Sequence, residues 1–333
     1  MNMQTHRRIA PAQERVFTAG GCSSPSIGSV GLAFDRINNR IKGIHPELIG
    51  SEAKLTAVLD QARSMAQETG ATRATVRFFL PRSGNEEVRN LWRFLTAFNG
   101  NEAGYTNIFE AVVPFSFYGG HYAMAYLAMN AESRLSPQNE ILHELSMARL
   151  ATMSSNRHRL PSGYRLRSAE PRDVSELVDL YRVFTRYLVT LDHAMITNMV
   201  ANTPTIVSIS QENRIAAALA AEHVRLNIGG LGMINLIEVS EAATAPQHRG
   251  RGLYSHMTRV FFDAAVSEFW ADGLVMYAEA RAAHPAPSRG LLNAGGTLGG
   301  FLNKQCVLES DRIVAESGPY ENLNVVYFDP GAR

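Results

Sequence analysis

The spacing of apolar positions predicts alternating helices and strands in the first half of the chain. Leu55, Val58, Leu59, Ala62 and Met65 recur at helical spacing, and Gly70 follows them as a stop signal. The segment "ATVRFFL" then predicts a strand, "NEEVRNLWRFLTAFNG" a second helix, and "NIFEAVVPF" and "HYAMAYLAM" two more strands. This half is therefore expected to have an α/β fold.

A polar stretch, residues 131–162, separates this half from a second set of elements. It contains a predicted helix, "QNEILHELSMARL", and the best linker in the chain, "SSNRHRLPSG". Beyond it the patterns predict the order β-α-α-β-β-β-α-β-α-β-β, with "GMINLIEVSEAAT" as a long strand followed by a helix that begins at Leu253. We therefore predict a polar N-terminal segment over 1–30, an N-terminal α/β domain over 31–160 and a second domain over 161–333.

Composition and charge exclude several classes of protein. The chain is 45% hydrophobic, and its 32 Lys and Arg against 31 Asp and Glu give a net charge of +1, which provides no field for nucleic acid or a membrane surface. No apolar run reaches about 18 residues, so no membrane-spanning helix is predicted. The two cysteines lie far apart in the sequence, which favours a reducing cytoplasm. Because the cysteines are distant and the histidines lack HxxxH and HExxH spacing, no metal site is predicted.

The segment "ATAPQHRGRGLYSHM" joins the long strand to the helix at Leu253 and carries the strongest chemical signal. A helix that follows a glycine-rich turn leaves its first backbone N–H groups unpaired, and with the helix dipole they form an anion site. Gly250 and Gly252 allow the backbone to approach a bulky anion, while Arg249 and Arg251 add charge. A pyrophosphate is the natural ligand.

Two other glycine-rich phosphate loops do not fit this segment. A P-loop requires GxxxxGK[ST], and the segment has neither that spacing nor the lysine. A dinucleotide-binding loop requires GxGxxG after the first strand of a βαβ unit, whereas here the third glycine is missing and the strand is the fourth of its domain.

The pattern QxxGxG between a long strand and an amphipathic helix resembles the acetyl-CoA-binding motif of the GNAT N-acetyltransferase superfamily. The resemblance covers residues 163–310. Within it, "EVSEAATAPQHRGRGLYSHM", "AEARA" and "NAGGTLGGFLNKQ" are most similar to the β-lysine N-acetyltransferases, and "FDRINNRIKGIHP" and "FEAVVPFSFYGGHYAMAYLAM" resemble their N-terminal domain. The resemblance implies a mixed, mostly antiparallel central sheet flanked by helices, with a second N-terminal α/β domain that is either its own fold or a degenerate GNAT-like one.

The implied reaction is direct attack of a neutral amine on the thioester carbonyl of acetyl-CoA. A lysine-like ammonium has a pKa near ~10.4, so its deprotonation at pH 7 costs roughly 4.6 kcal/mol, and a base must supply part of that. The resemblance favours Glu238 as the base, with Glu241 second. Strand alternation puts the two on opposite faces unless a bulge intervenes. The alternative is that they are solvated carboxylates at a strand edge.

The resemblance also implies which residues contact the donor. Backbone groups near Ala243 and Thr244 would pair with the pantetheine and polarise the thioester carbonyl. The pyrophosphate loop would consist of Gln247, His248, Arg249, Gly250, Arg251, Gly252 and Leu253. Leu291 stands where many relatives keep a tyrosine that protonates the thiolate, so solvent or the substrate ammonium is the alternative acid. Ser288 or Arg289 replaces an asparagine that contacts CoA in relatives.

The candidate residues for binding the amine acceptor lie in three places in the sequence. Tyr187 lies with Asp192 and His193 where relatives cap the amine pocket, although Tyr187 also fits the apolar stripe of a helix. Arg281 is a candidate for a phosphate or a substrate carboxylate. Asn303 and Gln305 occupy places that are polar in the β-lysine enzymes.

These observations lead to one expected function and two alternatives. The protein is expected to be an acetyl-CoA-dependent N-acetyltransferase acting on a small-molecule amine, such as an amino acid or diamino acid. The alternatives are transfer of a longer acyl or aminoacyl group and non-catalytic binding of CoA. The first half lacks a QxxGxG equivalent, so it is expected to bind no CoA and instead to complete the acceptor cleft or form a homodimer. Its aromatic segment "FEAVVPFSFYGG" either lines that cleft or packs between domains.

Overall fold

The computed structural model describes residues 31–35, 40–97, 100–102, 105–130, 148, 150, 159–182, 191–282, 284–307 and 320–332. The first half comprises β1 (Gly31–Asp35), β2 (Arg40–Leu48), α1 (Glu52–Thr69), β3 (Arg73–Pro81), α2 (Glu86–Ala97), β4 (Gly100–Glu102), β5 (Tyr105–Phe117) and β6 (Gly120–Asn130). The second comprises β7 (Arg165–Ser168), α3 (Val174–Arg182), α4 (His193–Asn202), β8 (Thr205–Ile209), β9 (Ile215–Ile228), β10 (Gly232–Thr244), α5 (Leu253–Phe269), β11 (Leu274–Arg281), α6 (Pro285–Asn293), β12 (Thr297–Val307) and β13 (Tyr320–Phe328).

Thirteen strands form one mixed sheet that is mostly antiparallel, which confirms the predicted fold class. Twelve of them follow the order β1-β2-β3-β6-β5-β12-β13-β11-β10-β9-β8-β7, and β4 pairs with β5. The parallel pairs are β2 with β3 and β10 with β11, each joined by one helix, α1 or α5. Strands β1 and β2 were not predicted from the sequence. The predicted helix "QNEILHELSMARL" and most of the linker lie outside the described residues.

The two halves repeat one arrangement of strands. In the first, β2-α1-β3-α2-β5-β6 gives the order β2-β3-β6-β5, and in the second, β10-α5-β11-α6-β12-β13 gives β10-β11-β13-β12. The directions also agree, since the first pair of each half is parallel and the next two are antiparallel. The halves meet through corresponding strands, because β5 pairs with β12.

Glycines allow this meeting of β5 and β12. A Cβ on Gly300 would lie 2.3 Å from the carbonyl oxygen of Glu110, and one on Gly299 would lie 2.5 Å from the carbonyl oxygen of Val112. These distances are far below van der Waals contact, so only glycine permits such a close approach of the two backbones.

The sheet also closes on itself at a second place. The Leu48 N–H donates to the Gly229 carbonyl and the Gly229 N–H donates to the Pro46 carbonyl, both at 2.8 Å, which links β2 to the end of β9. The strands from β2 to β9 therefore enclose an interior. One end of that interior is a hydrophobic cluster from both halves, including Phe79, Phe117, Leu236 and Val325. The segment "FEAVVPFSFYGG" thus contributes Phe115 and Phe117 to packing between the halves.

Helices cover the outer surfaces of the enclosed sheet. α1 and α2 pack on the first half through a cluster that contains Leu59, Phe78 and Leu91, and α5 and α6 pack on the second through one that contains Phe261, Met276 and Leu291. α3 and α4 form a further cluster against β8 and β9. In the described part of the chain, none of these helices is long and apolar enough to cross a membrane.

Candidate active site

Strands β10 and β11 separate partway along their length. Their parallel pairing runs from Asn235 opposite Leu274 to Glu238 opposite Tyr277, and both strands continue for several residues beyond it. The separating ends expose backbone groups to each other across a gap, since pairing between them has stopped. A ligand with amide groups can hydrogen-bond there in place of the missing strand partner.

A β-bulge lies where the strands separate. Val239 pairs with Ala221 and Ala242 with Leu219, so Ser240 and Glu241 together face a single residue of β9. The bulge removes the strict alternation that would place Glu238 and Glu241 on opposite faces. Burial raises the pKa of Glu241, and the charge of Glu238 also raises it.

The segment after β10 leads the chain into helix α5. A 3₁₀ turn over Pro246–His248 is followed by Gly250 and Gly252, with φ of 74° and 75°. These left-handed values favour glycine, and Gly252 is the N-cap of α5. Glycine has no side chain with which to cap the helix, so the first amides of α5 are available to an anion. No atom lies within 4 Å of the place of a Cβ on Gly250, so a ligand can approach its backbone.

The side chains of the loop divide into packed and exposed ones. His248 Nδ1 lies 2.8 Å from the Tyr164 hydroxyl, and the Arg251 guanidinium lies 6.0 Å from the centre of the same ring. Arg249 donates to the Thr244 carbonyl at 3.3 Å, which closes the loop. Gln247 is exposed, whereas Ala243 and Leu253 are buried. The loop therefore has a fixed inner side and an exposed basic rim.

The corresponding junction in the first half is different. The Ser51 side chain accepts from the Lys54 N–H and caps α1, and Glu52 places a negative charge in the first turn. Both features oppose anion binding, because the capped amide is already paired and the carboxylate repels phosphate. That the first half binds no CoA stays a prediction.

Glu238 lies in the interior between the two halves. The Tyr277 hydroxyl donates to Glu238 Oε2 at 2.6 Å, and Arg77 Nη1 donates to the Tyr277 oxygen at 2.5 Å. Arg77 Nη1 also lies 3.8 Å from Glu238 Oε2. Glu238 is 7% exposed and Arg77 is 1% exposed. A carboxylate from the second half and a guanidinium from the first therefore share one tyrosine.

Burial raises the pKa of Glu238 to about 7. The neighbouring charge of Glu279 contributes to this increase, while Lys42 and Arg77 oppose it. A carboxyl group with this pKa can both accept and release a proton near neutral pH, which a general base requires.

Asn303 and Gln305 bind a buried carboxyl group of the first half. The Asn303 N–H and side-chain amide donate to Glu110 Oε1 at 2.8 and 3.2 Å, and Gln305 donates to Glu110 Oε2 at 3.2 Å. Arg40 and Thr75 donate to Gln305 Oε1 at 2.7 and 3.1 Å. Burial raises the pKa of Glu110 to about 8, against the hydrogen bonds from Asn303. The two predicted acceptor residues thus line the interior and join the halves.

The other predicted residues lie in varied surroundings. Ser288 is fully buried and accepts from the Asn324 amide at 2.9 Å, which ties α6 to β13, whereas Arg289 is half-buried. Leu291 is buried in the core beneath α5. Arg281 is half-buried at the end of β11.

The residues near α4 were predicted to cap the amine pocket. Asp192 caps α4 by accepting from the Met195 N–H, and His193 is the first residue of that helix. Tyr187 lies outside the described residues. Tyr181, earlier on α3, is buried and donates to the Glu241 carbonyl at 2.7 Å, so it supports the bulge.

Sequence reasoning missed the residues that surround Glu238. Arg77 and Tyr277 were overlooked, although both lie in strands where polar residues alternate with apolar ones. Arg73, Thr75 and Arg77 are two apart in β3, and Tyr277 and Glu279 are two apart in β11. Such a period of two in a buried strand indicates a polar surface facing an interior.

The fold and the site together define a class of protein. A glycine-rich loop at the head of α5 follows β10, and β10 also carries the buried Glu238 carboxyl group at the place where β10 and β11 separate. Residues 165–268 match the family model described as an acetyltransferase (GNAT) domain. This part of the chain is therefore a GNAT acetyltransferase domain, and the predicted enzyme class, an acyltransferase, is confirmed. Within the described residues, no group of three or more His, Cys, Asp or Glu is placed to hold a metal ion.

Solved structures that match the chain align with about half of it. NAA60 of Arabidopsis thaliana in complex with acetyl-CoA is 10% identical, with a TM-score of 0.40 over 50% of this chain and 97% of its own. Spermidine N-acetyltransferase of Vibrio cholerae with CoA and spermine is 13% identical, with a TM-score of 0.38 over 50% and 96%. A phosphinothricin acetyltransferase of Sinorhizobium meliloti with acetyl-CoA is 18% identical, with a TM-score of 0.37 over 50% and 88%. A comparison with curated protein sequences found no match.

Proposed function

We propose that the protein transfers the acetyl group of acetyl-CoA to the amine of a small molecule, with Glu238 as the general base. One observation carries the proposal. The buried Glu238 carboxyl group lies where β10 and β11 separate, and the proposed anion loop comes directly after β10 in the chain. A donor held by its pyrophosphate on that loop can extend its thiol end along the gap toward Glu238.

The loop residues would hold the donor in two ways. The first amides of α5 and the backbone at Gly250 and Gly252 would bind the pyrophosphate, with Arg249 and Arg251 adding charge from the rim. Ala243 and Thr244 still pair with β9 but lie beyond the last residue of β10 that pairs with β11, so backbone groups on the β11 side would be available to the pantetheine amides. A backbone N–H at this place would also polarise the thioester carbonyl.

The chemical step follows from the position of Glu238. The acceptor ammonium loses one proton to the carboxylate, and the resulting amine nitrogen attacks the thioester carbon. The C–N bond forms, the C–S bond breaks, and the CoA thiolate leaves with the electron pair. The second proton on nitrogen is lost as the amide forms, and the thiolate takes a proton from solvent or from the substrate ammonium. Leu291 has no proton to offer.

The interior between the halves supports a charged acceptor. It contains the carboxyl groups of Glu222 and Glu238 and the basic groups of Lys42 and Arg77, and burial lowers the pKa of Lys42. An amino acid or diamino acid carries both an ammonium and a carboxylate, so it matches this mixture of charges. The motifs shared with the β-lysine N-acetyltransferases favour the same class of acceptor.

The division of the chain into an N-terminal domain over 31–160 and a transferase domain over 161–333 is part of the proposal. Its support is that two hydrophobic clusters, under α1 with α2 and under α5 with α6, each draw on one half alone. The first half would complete the acceptor site. We expect the enzyme to act in the cytoplasm and without nucleic acid, and we leave a homodimer open.

A screen of amines with acetyl-CoA tests the proposal. Release of free CoA thiol should require an acceptor and should be fastest with amino acids or diamino acids. Longer acyl-CoA donors in the same assay would reveal a preference for another acyl group. Absence of turnover with every amine, together with tight binding of acetyl-CoA, would instead identify a non-catalytic CoA-binding protein.

Replacement of Glu238 tests the assigned base. The Glu238→Gln variant should lose roughly 100-fold or more in kcat, in keeping with the contribution of a general base, while its KM for acetyl-CoA stays near that of the wild type. Glu241→Gln is the matched comparison on the same strand. Full turnover of Glu238→Gln from pH 6 to pH 9 would remove Glu238 from the role.

A further inference from the structure

The hydrogen-bonded chain from Arg77 to Tyr277 to Glu238 crosses between the two halves of the molecule. We infer that Arg77 and Tyr277 are positioning residues that orient the Glu238 carboxylate, so that the N-terminal half is part of the catalytic centre. This inference rests on the proposed function, because it assumes that Glu238 is the base.

The geometry of the chain supports a positioning role. Arg77 comes from the middle of β3, Tyr277 from the last residue of β11 that pairs with β10, and Glu238 from its partner on β10. All three are buried, and Tyr277 is fully so. Arg77 donates to the tyrosine oxygen, which leaves the tyrosine O–H to donate to Glu238 Oε2. The tyrosine hydroxyl therefore has one orientation only.

This arrangement assigns different tasks to the two oxygens of the carboxylate. Because Tyr277 donates to Oε2, we expect the acceptor ammonium to transfer its proton to Oε1 of Glu238. A carboxylate held at one oxygen by a fixed donor keeps its other oxygen in place, and such preorganisation favours proton transfer. The side chain that fixes the donor belongs to the first half.

Charged and titratable groups face Glu238 from every neighbouring strand. Glu222 on β9, Glu241 on β10 and Glu279 on β11 would disfavour its negative charge. Arg77 on β3 and Lys42 on β2 favour that charge, and the tyrosines are Tyr126 on β6 and Tyr277. Loss of Arg77 would leave Lys42 as the one named basic group that opposes these three carboxyl groups, so the pKa of Glu238 would rise.

The pH dependence of kcat/KM tests the inference. It is measured with acetyl-CoA and the amino acid or diamino acid that reacts fastest in the amine screen. A base must be deprotonated to act, so kcat/KM should rise with pH through the pKa of Glu238. Arg77→Met should move this rise to higher pH by about one unit, since an opposite charge within a few ångströms lowers a carboxyl pKa by that order. Tyr277→Phe, which removes only the hydroxyl, should move it in the same direction and lower kcat more than it changes KM for acetyl-CoA.

Controls separate catalysis from folding. Arg63→Met removes an arginine of the first half whose side chain is mostly buried, but it lies on α1, outside the enclosed interior. This variant should keep the pH profile of the wild type. Near-ultraviolet circular dichroism would establish that each variant is folded, and the nearly isosteric Tyr277→Phe keeps the test available if Arg77→Met does not fold.

The outcomes distinguish the inference from the proposed function. If Glu238→Gln is inactive while Arg77→Met and Tyr277→Phe keep the pH profile and kcat of the wild type, the positioning role is wrong and the base is retained. If Glu238→Gln is fully active, the proposed base itself is wrong. A shift in both positioning variants but not in Arg63→Met supports the inference.

Discussion

Gly250 and Gly70 show how one backbone conformation serves two purposes. Both have a left-handed φ, 74° and 69°, and at both the place of a Cβ is open for 4 Å. Gly70 ends α1, where its N–H donates to the Ala66 carbonyl. Gly250 instead precedes a helix, in the loop that we propose as the pyrophosphate site. The surrounding residues, rather than the glycine itself, decide between a helix stop and an anion site.

This comparison gives a matched test of the donor loop. Gly250→Glu should weaken binding of acetyl-CoA by more than about tenfold, or ~1.4 kcal/mol, because a negative side chain at a helix N-terminus repels phosphate. Gly70→Glu imposes the same backbone strain in the other half and should leave binding intact. Calorimetric titration with acetyl-CoA measures both. Equal affinity of the Gly250→Glu variant and the wild type would contradict the assigned loop.

Individual residues were predictable from the sequence where a motif fixed them. The loop from Gln247 to Leu253 stands out because glycine and arginine at that spacing suit an anion. Glu238 was singled out by the resemblance to the GNAT superfamily. Its partner Arg77 was not, because it lies 161 positions away and a hydrogen bond between distant strands leaves no local pattern in either one. Its alternation with apolar neighbours was the one available signal.

At the scale of elements, the pairing of β5 with β12 depends on close backbone approach. A side chain at Gly300 would meet the backbone of Glu110 and Ala111. A backbone cannot move aside as a side chain can, so the strands would have to separate. The hydrogen bonds of Glu110 with Asn303 and Gln305 lie beside this point and would be strained with it.

Substitution of Gly300 tests this dependence. Gly300→Ala should lower the free energy of unfolding by about 1–3 kcal/mol, the usual cost of overpacking, as measured by urea denaturation. Gly50→Ala, where no atom lies within 4 Å of the new Cβ, should change it little. A Gly300→Ala variant as stable as Gly50→Ala would show that the two strands are held less closely than described.

Elements with a strong period were predicted and the rest were not. The strand over 232–244 and the helix over 253–269 agree with the sequence pattern, because long apolar stripes determine them. β2 was missed because its sequence, "RIKGIHPEL", mixes cations, a glycine and a proline. Its Arg40 and Lys42 face the interior, so tertiary contacts compensate for a weak strand pattern.

At the scale of the molecule, the enclosed interior joins the halves into one unit. Its hydrophobic cluster takes side chains from β2, β3, β5 and β6 and from β9 to β13, and its polar end contains Arg77 with Glu238. Neither half can expose this surface without losing apolar burial and leaving charges without partners. The halves should therefore unfold together.

The two tryptophans can report this cooperativity. Trp92 lies on α2 of the first half and Trp270 follows α5 of the second, and the chain has no others. Single-tryptophan variants, Trp92→Phe and Trp270→Phe, should show fluorescence transitions whose midpoints shift together when Val58→Ala removes packing from the first half alone. Separate midpoints, or a shift seen only by Trp92, would indicate independent domains.

The join between β5 and β12 also limits how copies of the protein can associate. Long strands with open edges can add strands from other chains, and proteins usually protect such edges. Here the two long strands protect each other within one chain. The described sheet ends instead at β1 and β7, which are five and four residues long. Self-assembly through strand addition at these two short strands of the described sheet is therefore disfavoured.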